Sequence, residues 1–260
     1  MDLGIAGRKA IVCASSQGLG QACAAALARE GADVVINARH ADALEHARSA
    51  IRATVTGVDI KCVAADITTE QGRAALIAAC PEADILVTNN GGPPPGALED
   101  WDHDAWIGAF ESNMIAPMLL IRALLPGMRS RKFGRIVNIT SAMVKTPFPM
   151  MGLSTAARTA LTAACKAISR EAAADNVTIN NLLPERIDTP RQEFMAQRMM
   201  REQSITREEA RRQIAASVAA KRFGRPEEFA DACAFLCSAQ AGFISGQNLQ
   251  LDGGSYRGLI

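Results

Sequence analysis

The stretch CASSQGLGQA, residues 13–22, joins an apolar β-branched run to an alanine-rich run of helical period. In a glycine-rich turn from strand to helix, the backbone can approach a pyrophosphate. The charge of that group then meets free amide groups and the positive end of the helix dipole. Gly18 and Gly20 would also suit an ordinary tight turn, which is the alternative. The place of the turn between a strand and a helix favours a dinucleotide-binding site.

The same alternation of short β-branched runs and longer alanine-rich runs continues along the 260 residues. It indicates a parallel sheet with helices on both faces, and the absence of strict apolar–polar alternation is typical of strands buried on both sides. The predicted strands are 9–14, 33–38, 60–65, 84–88, 134–140, 177–182 and 247–252. The predicted helices are 18–30, 41–54, 69–79, 101–129, 154–175 and 226–237. The fold class is therefore α/β, with one doubly wound, three-layer domain over residues 1–260.

The charges of the chain are nearly balanced, with 28 Lys and Arg against 27 Asp and Glu and a formal net charge of +1. Such a balance offers no surface that attracts a polyanion, so a nucleic-acid partner is not expected. The N-terminal sequence reaches glycine and polar residues after a short apolar run, unlike a secretory signal or a membrane span. We predict a cytoplasmic protein with no membrane partner.

Cysteine and histidine do not occur in the patterns of a metal centre. The seven cysteines are odd in number and scattered through apolar runs, which indicates reduced thiols that act as small core residues. Cys233 and Cys237 lie four apart on a predicted helix, but no further Cys or His lies nearby at ligand spacing. The three histidines, His40, His46 and His103, are far apart. The sequence therefore predicts neither a metal site nor a Ser-His-Asp triad.

The residues after the second strand distinguish between the two nicotinamide dinucleotides. A carboxylate there would bind the ribose 2′-hydroxyl of NAD; Ala38 has no such group, whereas Arg39 can pair with the 2′-phosphate of NADP. The alternative for Arg39 is a solvated residue after a strand. NADP is favoured over NAD. Further segments lie at the carboxyl ends of the third and fourth strands, where open α/β sheets bind ligands, namely Asp66-Ile67 and Thr88-Asn89-Asn90-Gly91.

Several of these segments together resemble the short-chain dehydrogenase/reductase family. They are CASSQGLG, AADI, TNNG, AWIGAFESNMIAPM, NITS, LLPERIDT and RFGRPEEFADACAFLCSAQAGFISGQNLQLDGG. The resemblance runs from about residue 5 to residue 256 and is closest to the 3-oxoacyl-acyl-carrier-protein reductase branch. It implies a Rossmann-like sheet of seven strands, a nicotinamide cofactor, oxidoreductase activity on CH–OH groups and a homotetramer, or else a dimer.

The resemblance also implies cofactor contacts residue by residue. The matching positions are Ser15, Ser16, Gln17, Gly18, Leu19 and Gly20 for the phosphate loop, Asp66 and Ile67 for the adenine, Asn89 and Gly91 after strand four, and Pro184, Ile187 and Thr189 beside the nicotinamide. The chain departs from the family's pattern at Thr88 and Asn90, at Glu185 in place of a glycine, and at Ala14 in place of the first glycine of the loop. A methyl group at a close backbone approach is expected to weaken cofactor binding.

The catalytic positions of the family are only partly matched. The family uses a serine, a tyrosine 13 residues later and a lysine four beyond that, supported by an asparagine in the preceding helix. Ser141 and Asn113 match, but the count from Ser141 gives Ser154 and Arg158 for the tyrosine and lysine. The one tyrosine of the chain, Tyr256, is near its C-terminus.

These two replacements remove the family's proton relay. Hydride transfer to a carbonyl leaves charge on oxygen, and the tyrosine, its pKa lowered by the lysine, supplies the proton. Serine is a much weaker acid than phenol, and arginine, with a pKa above about 12, stays protonated. We predict that Ser141, Ser154 and Arg158 stabilise the oxyanion, while an acidic substrate or a water held by Asn113 supplies the proton. Lys145 and Glu185 are further candidates for the acid or base; the alternative is that each is a solvated loop residue.

Three features each allow a structural interpretation as well as a functional one. Ser154 could be only a helix N-cap, with Arg158 one turn on contacting a cofactor ribose or phosphate. Segment 190–221 reads as two charged, methionine-bearing helices, either a substrate lid or a solvated excursion. Loop 91–106, stiffened by three prolines, either borders the substrate site or forms a simple turn.

The sequence therefore supports three functions in decreasing order. The first is an NADP(H)-dependent reductase or dehydrogenase of a small carbonyl or alcohol compound, resembling the 3-oxoacyl-acyl-carrier-protein reductases, with an altered acid/base group. The second is a catalytically impaired nucleotide-binding protein with a structural, sensing or partner-binding role. The third is an enzyme that performs non-redox chemistry in the same pocket.

Overall fold

A seven-stranded parallel sheet forms the centre of the computed structural model, which describes residues 2–259. The strands are β1 (Lys9–Val12), β2 (Asp33–Ala38), β3 (Ile60–Ala64), β4 (Ile85–Thr88), β5 (Gly134–Ile139), β6 (Val177–Pro184) and β7 (Asn248–Leu251). Their order is β3-β2-β1-β4-β5-β6-β7, and every neighbouring pair is parallel. The order reverses between β1 and β4, which is where doubly wound sheets open a crevice for ligands. The predicted α/β class and parallel sheet are confirmed.

Nine α-helices are assigned within residues 2–259. They are α1 (Gly18–Arg29), α2 (Ala41–Arg52), α3 (Glu70–Ala79), α4 (His103–Phe110), α5 (Ala116–Ser130), α6 (Gly152–Ala172), α7 (Pro190–Gln203), α8 (Arg207–Ala216) and α9 (Pro226–Cys237). The predicted helix 101–129 is divided into α4 and α5 by a π-helical turn, Glu111–Ile115. The predicted helix pair within 190–221 is present as α7 and α8.

Apolar residues fill both faces of the sheet. One cluster joins the sheet to α1, α2 and α9, and the other joins it to α3, α5 and α6. Cys23, Cys233 and Cys237 are buried in the first cluster, between α1 and α9, as expected for cysteines acting as core residues. A separate small cluster lies between α7 and α8, where Met195, Met199 and Met200 pack against Ile214 and its neighbours.

One helical stretch within residues 2–259, His103–Ser130, is long and apolar enough by length and hydropathy to cross a membrane. Its buried residues include Leu120, Ile121, Leu124 and Met128, which pack in the second core cluster. Packing against the sheet therefore explains the apolar character of the stretch.

A row of polar side chains crosses four strands inside the sheet. Thr88 Oγ1 donates to Asn138 Oδ1 at 2.7 Å, and Asn138 Nδ2 donates to Asn181 Oδ1 at 2.9 Å. Asn181 Nδ2 in turn donates to Asn248 Oδ1 at 2.8 Å. These residues are register partners in β4, β5, β6 and β7. Because each buried amide is satisfied only in this alignment, the row fixes the register of the strands that carry the site.

We expect Asn138→Leu to destabilise the protein strongly, because it removes the acceptor of the Thr88 hydroxyl and the donor to Asn181 Oδ1 inside the sheet. Each orphaned buried group costs about 1–3 kcal/mol. In the double variant Thr88→Val/Asn138→Leu, the loss should be smaller than the sum of the two single losses, since one orphaned group is removed. Urea unfolding of the four proteins measures this coupling, and strictly additive losses would contradict the interaction.

Candidate active site

The glycine loop between β1 and α1 depends on two positions without a side chain. A Cβ added at Gly20 would come within 2.3 Å of the carbonyl oxygen of Ala14, so only glycine lets α1 approach the end of β1 this closely. Gly18 has a φ of +59°, in the left-handed region that favours glycine. Its open side faces Thr189, whose Cβ would lie 3.6 Å from an added methyl group. The structure therefore brings the predicted loop and the predicted start of α7 together.

The loop begins at a strained alanine. Ala14 has a φ of +46°, and this conformation costs a residue with a side chain about 1–2 kcal/mol. The same turn ends β1 at Val12, two residues before the predicted end. Ser15 is fully buried; its hydroxyl donates to the Val12 carbonyl at 2.7 Å and accepts from the Asn37 amide at 2.9 Å. The Ser15 side chain and its backbone amide, which donates to the Asn37 carbonyl at 2.8 Å, thus join β1 to β2.

The amide groups that open α1 are free of side-chain caps. Its N-cap residue, Gln17, makes no capping hydrogen bond through its side chain. The first-turn amides and the positive end of the helix dipole are therefore open to an anion. Together with the bare backbone at Gly20, this arrangement fits the pyrophosphate of a dinucleotide. The predicted loop residues Ser16 and Leu19 lie half-buried on either side of Gln17 and Gly18.

Arg39 and Asp66 stand together at the ends of β2 and β3. Asp66 Oδ1 accepts from the amide and the hydroxyl of Thr68, at 2.9 and 2.8 Å. These hydrogen bonds, aided by the charge of Arg39, lower the pKa of the Asp66 carboxyl below its ordinary value. Arg39 is exposed, whereas Ile67 is buried below Asp66. The pair is placed as expected for the adenosine end of a dinucleotide site.

The end of β4 is tied directly to the glycine loop. Asn89 Nδ2 donates to the Ala14 carbonyl at 3.2 Å, and Gly91, one residue beyond Asn90, is exposed. On the other side of the crevice, β6 ends at Pro184, and Ile187 forms a bridge with Gly224. The segments predicted to hold a cofactor therefore meet at one edge of the sheet.

The four residues at the catalytic positions come from three separate elements. Ser141 opens a short 3₁₀ turn after β5, and its Oγ accepts from the Met143 amide at 3.2 Å. Ser154 and Arg158 lie one turn apart on α6, where Arg158 Nε donates to Ser154 Oγ at 3.2 Å. Asn113 lies in the π-helical turn between α4 and α5.

Arg158 crosslinks the ends of two strands. Its Nη1 donates to the carbonyls of Ile139 and Thr140, at 2.7 and 2.9 Å, and its Nη2 donates to the Asn90 carbonyl at 3.2 Å. The side chain is buried, and burial together with the nearby charge of Arg191 lowers its pKa to about 10. The guanidinium therefore stays positive at neutral pH without a carboxylate partner among residues 2–259.

Ser154 is not the helix N-cap that the sequence allowed. Helix α6 begins at Gly152 with Met151 as its N-cap, because the 3₁₀ turn of Pro149–Met151 runs straight into it. Ser154 is buried inside the first turn, and its Oγ accepts a hydrogen bond from Arg158. Within the described residues its hydroxyl hydrogen has no acceptor, so it is available to a ligand.

Asn113 holds an unsatisfied oxygen. Its Nδ2 donates to Ser112 Oγ at 2.9 Å and weakly to the Ala109 carbonyl, but its Oδ1 has no hydrogen-bond partner although it is buried. A buried amide oxygen of this kind calls for a water or a ligand. The π-helical turn, a feature frequent at functional sites, places the residue on the side of Gly91, whose carbonyl lies 3.5 Å from Asn113 Nδ2.

Two further charged residues lie near the nicotinamide end of the predicted site. Glu185, directly after Pro184, is half-buried, and burial raises the pKa of its carboxyl above the ordinary value. The charge of Asp252 raises this pKa further, whereas the charge of Arg186 opposes the shift. Lys145 Nζ lies 5.1 Å from the centre of the Tyr256 ring. Both were predicted as candidates for acid or base or else as solvated loop residues, and both are half-buried.

The proline loop lines a cavity of about 550 Å³. The cavity also reaches Trp101, Leu153 and Gly92. A Cβ at Gly92 would lie 3.7 Å from Arg158 Nη2 and 3.9 Å from Ser154 Oγ, so only the bare backbone of Gly92 separates this pair from the cavity wall. The cavity borders the site without containing its polar residues.

Sequence reasoning missed the arginines that reach the loop from α7. Arg191 Nη2 donates to the Pro93 carbonyl at 3.2 Å, and Arg198 Nη1 donates to the Pro95 carbonyl at 3.3 Å. The spacing of these residues on α7 and of the prolines on the loop gives no signal for the contact. Helix α7 is thus held against the loop after β4.

Comparison with known proteins places these features in a family. The model of the enoyl-(acyl carrier protein) reductase family matches residues 13–256. The chain is 32% identical to NADPH-dependent reductase BacG of Bacillus subtilis (strain 168), over 97% of this chain and 99% of that protein. It is also 32% identical to dehydrogenase/reductase SDR family member 4 of Bos taurus, over 95% of this chain and 86% of that protein.

Solved structures show the same likeness over the whole length. The structure of L-sorbose reductase from Gluconobacter frateurii, complexed with NADPH and L-sorbose, superimposes with a TM-score of 0.94 at 31% identity and covers 100% of both chains. Actinorhodin polyketide ketoreductase with NADPH superimposes with a TM-score of 0.88 at 27% identity, over 96% of this chain and 98% of that one. The chain therefore belongs to the short-chain dehydrogenase/reductase family.

Proposed function

We propose that the protein is an NADP(H)-dependent oxidoreductase that interconverts a carbonyl and an alcohol without a tyrosine–lysine pair. The observation that carries the proposal is the free Ser154 hydroxyl, oriented by Arg158, at the edge of the sheet where the glycine loop fits a dinucleotide. The full-length relatives named as NADPH-dependent reductases support the redox reaction.

The chain's own residues select the phosphorylated cofactor. Arg39 follows β2 at the position that meets the 2′ group of the adenosine ribose, and Ala38 offers no acceptor to a 2′-hydroxyl. When bound, the nicotinamide ring supplies or accepts the hydride. The free amides at the start of α1 bind the pyrophosphate, and Asn89 holds the loop in place through the Ala14 carbonyl.

The carbonyl oxygen of the substrate is bound by hydroxyl donors. Because Ser154 Oγ accepts from Arg158, its own hydrogen is directed away from the arginine. The buried guanidinium supports negative charge on the oxygen that this hydrogen meets, since electrostatic stabilisation is strong in a buried site. Such a donor is worth about 10²–10³ in rate. Ser141, on the adjoining turn, provides the second hydroxyl.

The proton comes from a group other than Ser154. Asn113 Oδ1 is an unsatisfied acceptor that can hold a water, and Glu185 has a raised pKa at the neighbouring strand end. General acid assistance is typically worth about 10²–10⁴ in rate, so a substrate with an acidic enol form would react fastest.

A second candidate function is a nucleotide-binding protein without turnover. The observation in its favour is that Arg158 donates four hydrogen bonds, to Ser154 and to backbone carbonyls. These bonds give the side chain a structural role. In that case Arg158 would replace the lysine as a crosslink between β4 and β5, and the cofactor would serve a structural or sensing role.

The assembly we propose is a cytoplasmic homotetramer. Strand β7 is the last strand of the sheet, and its outer edge is unpaired among the described residues. Phe235 on α9 and Leu249 on β7 are exposed beside that edge, as is Phe243 between them. An exposed edge with apolar neighbours supports association with a second copy.

We expect NADPH to bind more tightly than NADH, and Arg39→Ala to reduce that preference by about 10- to 100-fold through loss of one charge-assisted contact. Fluorescence titration of the nicotinamide measures both dissociation constants. The dissociation constant of NADH serves as the internal control. NADH lacks the 2′-phosphate, so its affinity should change little in Arg39→Ala. Equal losses for both cofactors would contradict the role of Arg39.

Ser154→Ala should reduce kcat about 10²- to 10³-fold on any carbonyl substrate that is turned over, because it removes a donor to the developing oxyanion. NADPH affinity should stay within about twofold. The double variant Ser154→Tyr/Arg158→Lys restores the family's pair and should raise kcat at pH 7. Absorbance at the nicotinamide band measures turnover; tight NADPH binding without turnover in the parent and in both variants would favour the second candidate function.

Glu185→Gln should stabilise the protein at neutral pH. Because the folded-state pKa of Glu185 is raised, the ionised carboxyl costs stability above that pKa, and the cost disappears below its ordinary value of 4.5. The gain should therefore be present in urea unfolding at pH 7 and absent near pH 4. Glu99→Gln, at an exposed position, is the control and should show no gain at pH 7; a gain equal at both pH values would exclude titration of Glu185.

A further inference from the structure

Arg158 and Arg191 converge on one short loop without a carboxylate between them. Arg158 Nη2 donates to the Asn90 carbonyl and Arg191 Nη2 donates to the Pro93 carbonyl, each at 3.2 Å. The two acceptor residues are three positions apart in the loop. Neither arginine takes part in an ion pair among residues 2–259. Burial, together with the nearby charge of Arg191, lowers the pKa of Arg158, and burial lowers that of Arg191.

The carboxylates near the start of α7 are engaged elsewhere. Glu193 pairs with Arg207 and Arg211 of α8, and Asp188 pairs with Arg211. The charges that act on Glu185 are those of Arg186 and Asp252. The two positive charges at the loop are therefore left without compensation by these neighbours.

Arg135, a second buried arginine in the sheet, has a structural role and serves as a comparison. Arg135 donates to the carbonyls of Ser238 and Asn176, which follow the C-terminal ends of α9 and α6, and its guanidinium lies 4.4 Å from the Phe133 ring centre. Helix C-termini and an aromatic face both stabilise a cation. Arg135 is thus compensated by the fold.

Arg191 also has an aromatic neighbour, since its guanidinium lies 5.4 Å from the centre of the Phe194 ring, but its position relative to a helix is the reverse of that of Arg135. It lies in the first turn of α7, at the positive end of the helix dipole, which is unfavourable for a cation. A second cation, Arg158, lies beside it. We infer that an anionic group of the substrate, a carboxylate, binds between Arg191 and Arg158; this inference rests on the proposed function and specifies the substrate class of the same site.

The position of the pair favours a substrate group over a cofactor phosphate. Arg158 contacts Ser154, the donor to the reacting oxygen, and Arg191 contacts the proline loop that borders the neighbouring cavity. The pyrophosphate has its own site at the open amides of α1, beside Gly18. Arginine suits a carboxylate because its planar guanidinium presents parallel donors. Arg191 has such donors to offer beyond its bond to Pro93, whereas Arg158 already uses four of its five N–H groups and contributes mainly its charge.

The test compares carbonyl compounds that differ only in the carboxylate. We expect 2-oxopentanoate or 4-oxopentanoate to be reduced with a kcat/KM roughly 10- to 100-fold higher than its methyl ester. Arg191→Gln should abolish this preference by raising KM for the acid, while the ester's kcat/KM and the NADPH dissociation constant stay within about twofold. Arg191→Lys, which keeps the charge, should retain part of the preference.

Arg198→Gln is the matched control. Arg198 also lies on α7 and also donates to a carbonyl of the proline loop, but it has a carboxylate partner in Glu202. The preference for the acid should survive in this variant. Loss of the preference in both variants would attribute it to the placement of α7 and overturn the inference.

Two outcomes separate the inference from the function on which it rests. If the esters and the acids are reduced with equal kcat/KM, both in the parent protein and in Arg191→Gln, the inference is overturned and the proposed oxidoreductase activity stands. If Arg191→Gln binds NADPH more weakly, the anion between the arginines belongs to the cofactor, and the inference is overturned as well. Absence of any turnover would count against the proposed function. Calorimetry with NADP⁺-bound protein then decides the inference: oxo acid binding lost in Arg191→Gln supports it, and equal binding of acid and ester overturns it.

Discussion

The approach of Gly20 to the carbonyl of Ala14 sets the geometry on which the rest of the site depends. A side chain at position 20 would collide with that oxygen at 2.3 Å, so α1 can start directly above the end of β1 only with glycine. The same carbonyl accepts from Asn89 and thereby fixes the end of β4. The polar row from Thr88 to Asn248 then carries the alignment from β4 through to β7. One close backbone contact thus places the start of α1 and the ends of β1 and β4, at the edge of the sheet where the site is proposed.

The buried charge of Arg158 is the second constraint. A lysine at this position would offer one flexible ammonium group, whereas the planar guanidinium binds the carbonyls of Ile139, Thr140 and Asn90 together. The guanidinium therefore holds the strand ends together through several bonds at once. It also leaves a positive charge in a poorly solvated place, where its effect on a nearby anion is strongest. The proton relay is lost because Ser154 and Arg158 together replace the tyrosine and the lysine, and the proposed anion site uses the charge of the arginine.

The sequence was sufficient for the order of strands and helices and for the edge where the site forms, because hydrophobic period and glycine position are local properties. The count from Ser141 also located Ser154 and Arg158 correctly on α6. Three features were beyond such reasoning. The π-helical turn at Glu111–Ile115 lies between Gly108 and Pro117, and neither residue by itself predicts an extra residue in the helix. The cap of α6 is Met151, because an upstream 3₁₀ turn starts the helix early. The contact of Arg191 with Pro93 spans 98 residues of chain, so no local pattern encodes it.

The strained backbone of Ala14 is a further departure from the family's pattern, at the glycine loop. A left-handed alanine costs about 1–2 kcal/mol relative to the glycine that the family places there. The hydrogen bonds of Ser15 and Asn89 around the loop offset this cost and hold the loop in place. Arg158 directs its donors at strand ends, so the placement of the substrate falls to the hydroxyls and to an anionic group. The changes at both edges are consistent with a site that positions its substrate by charge.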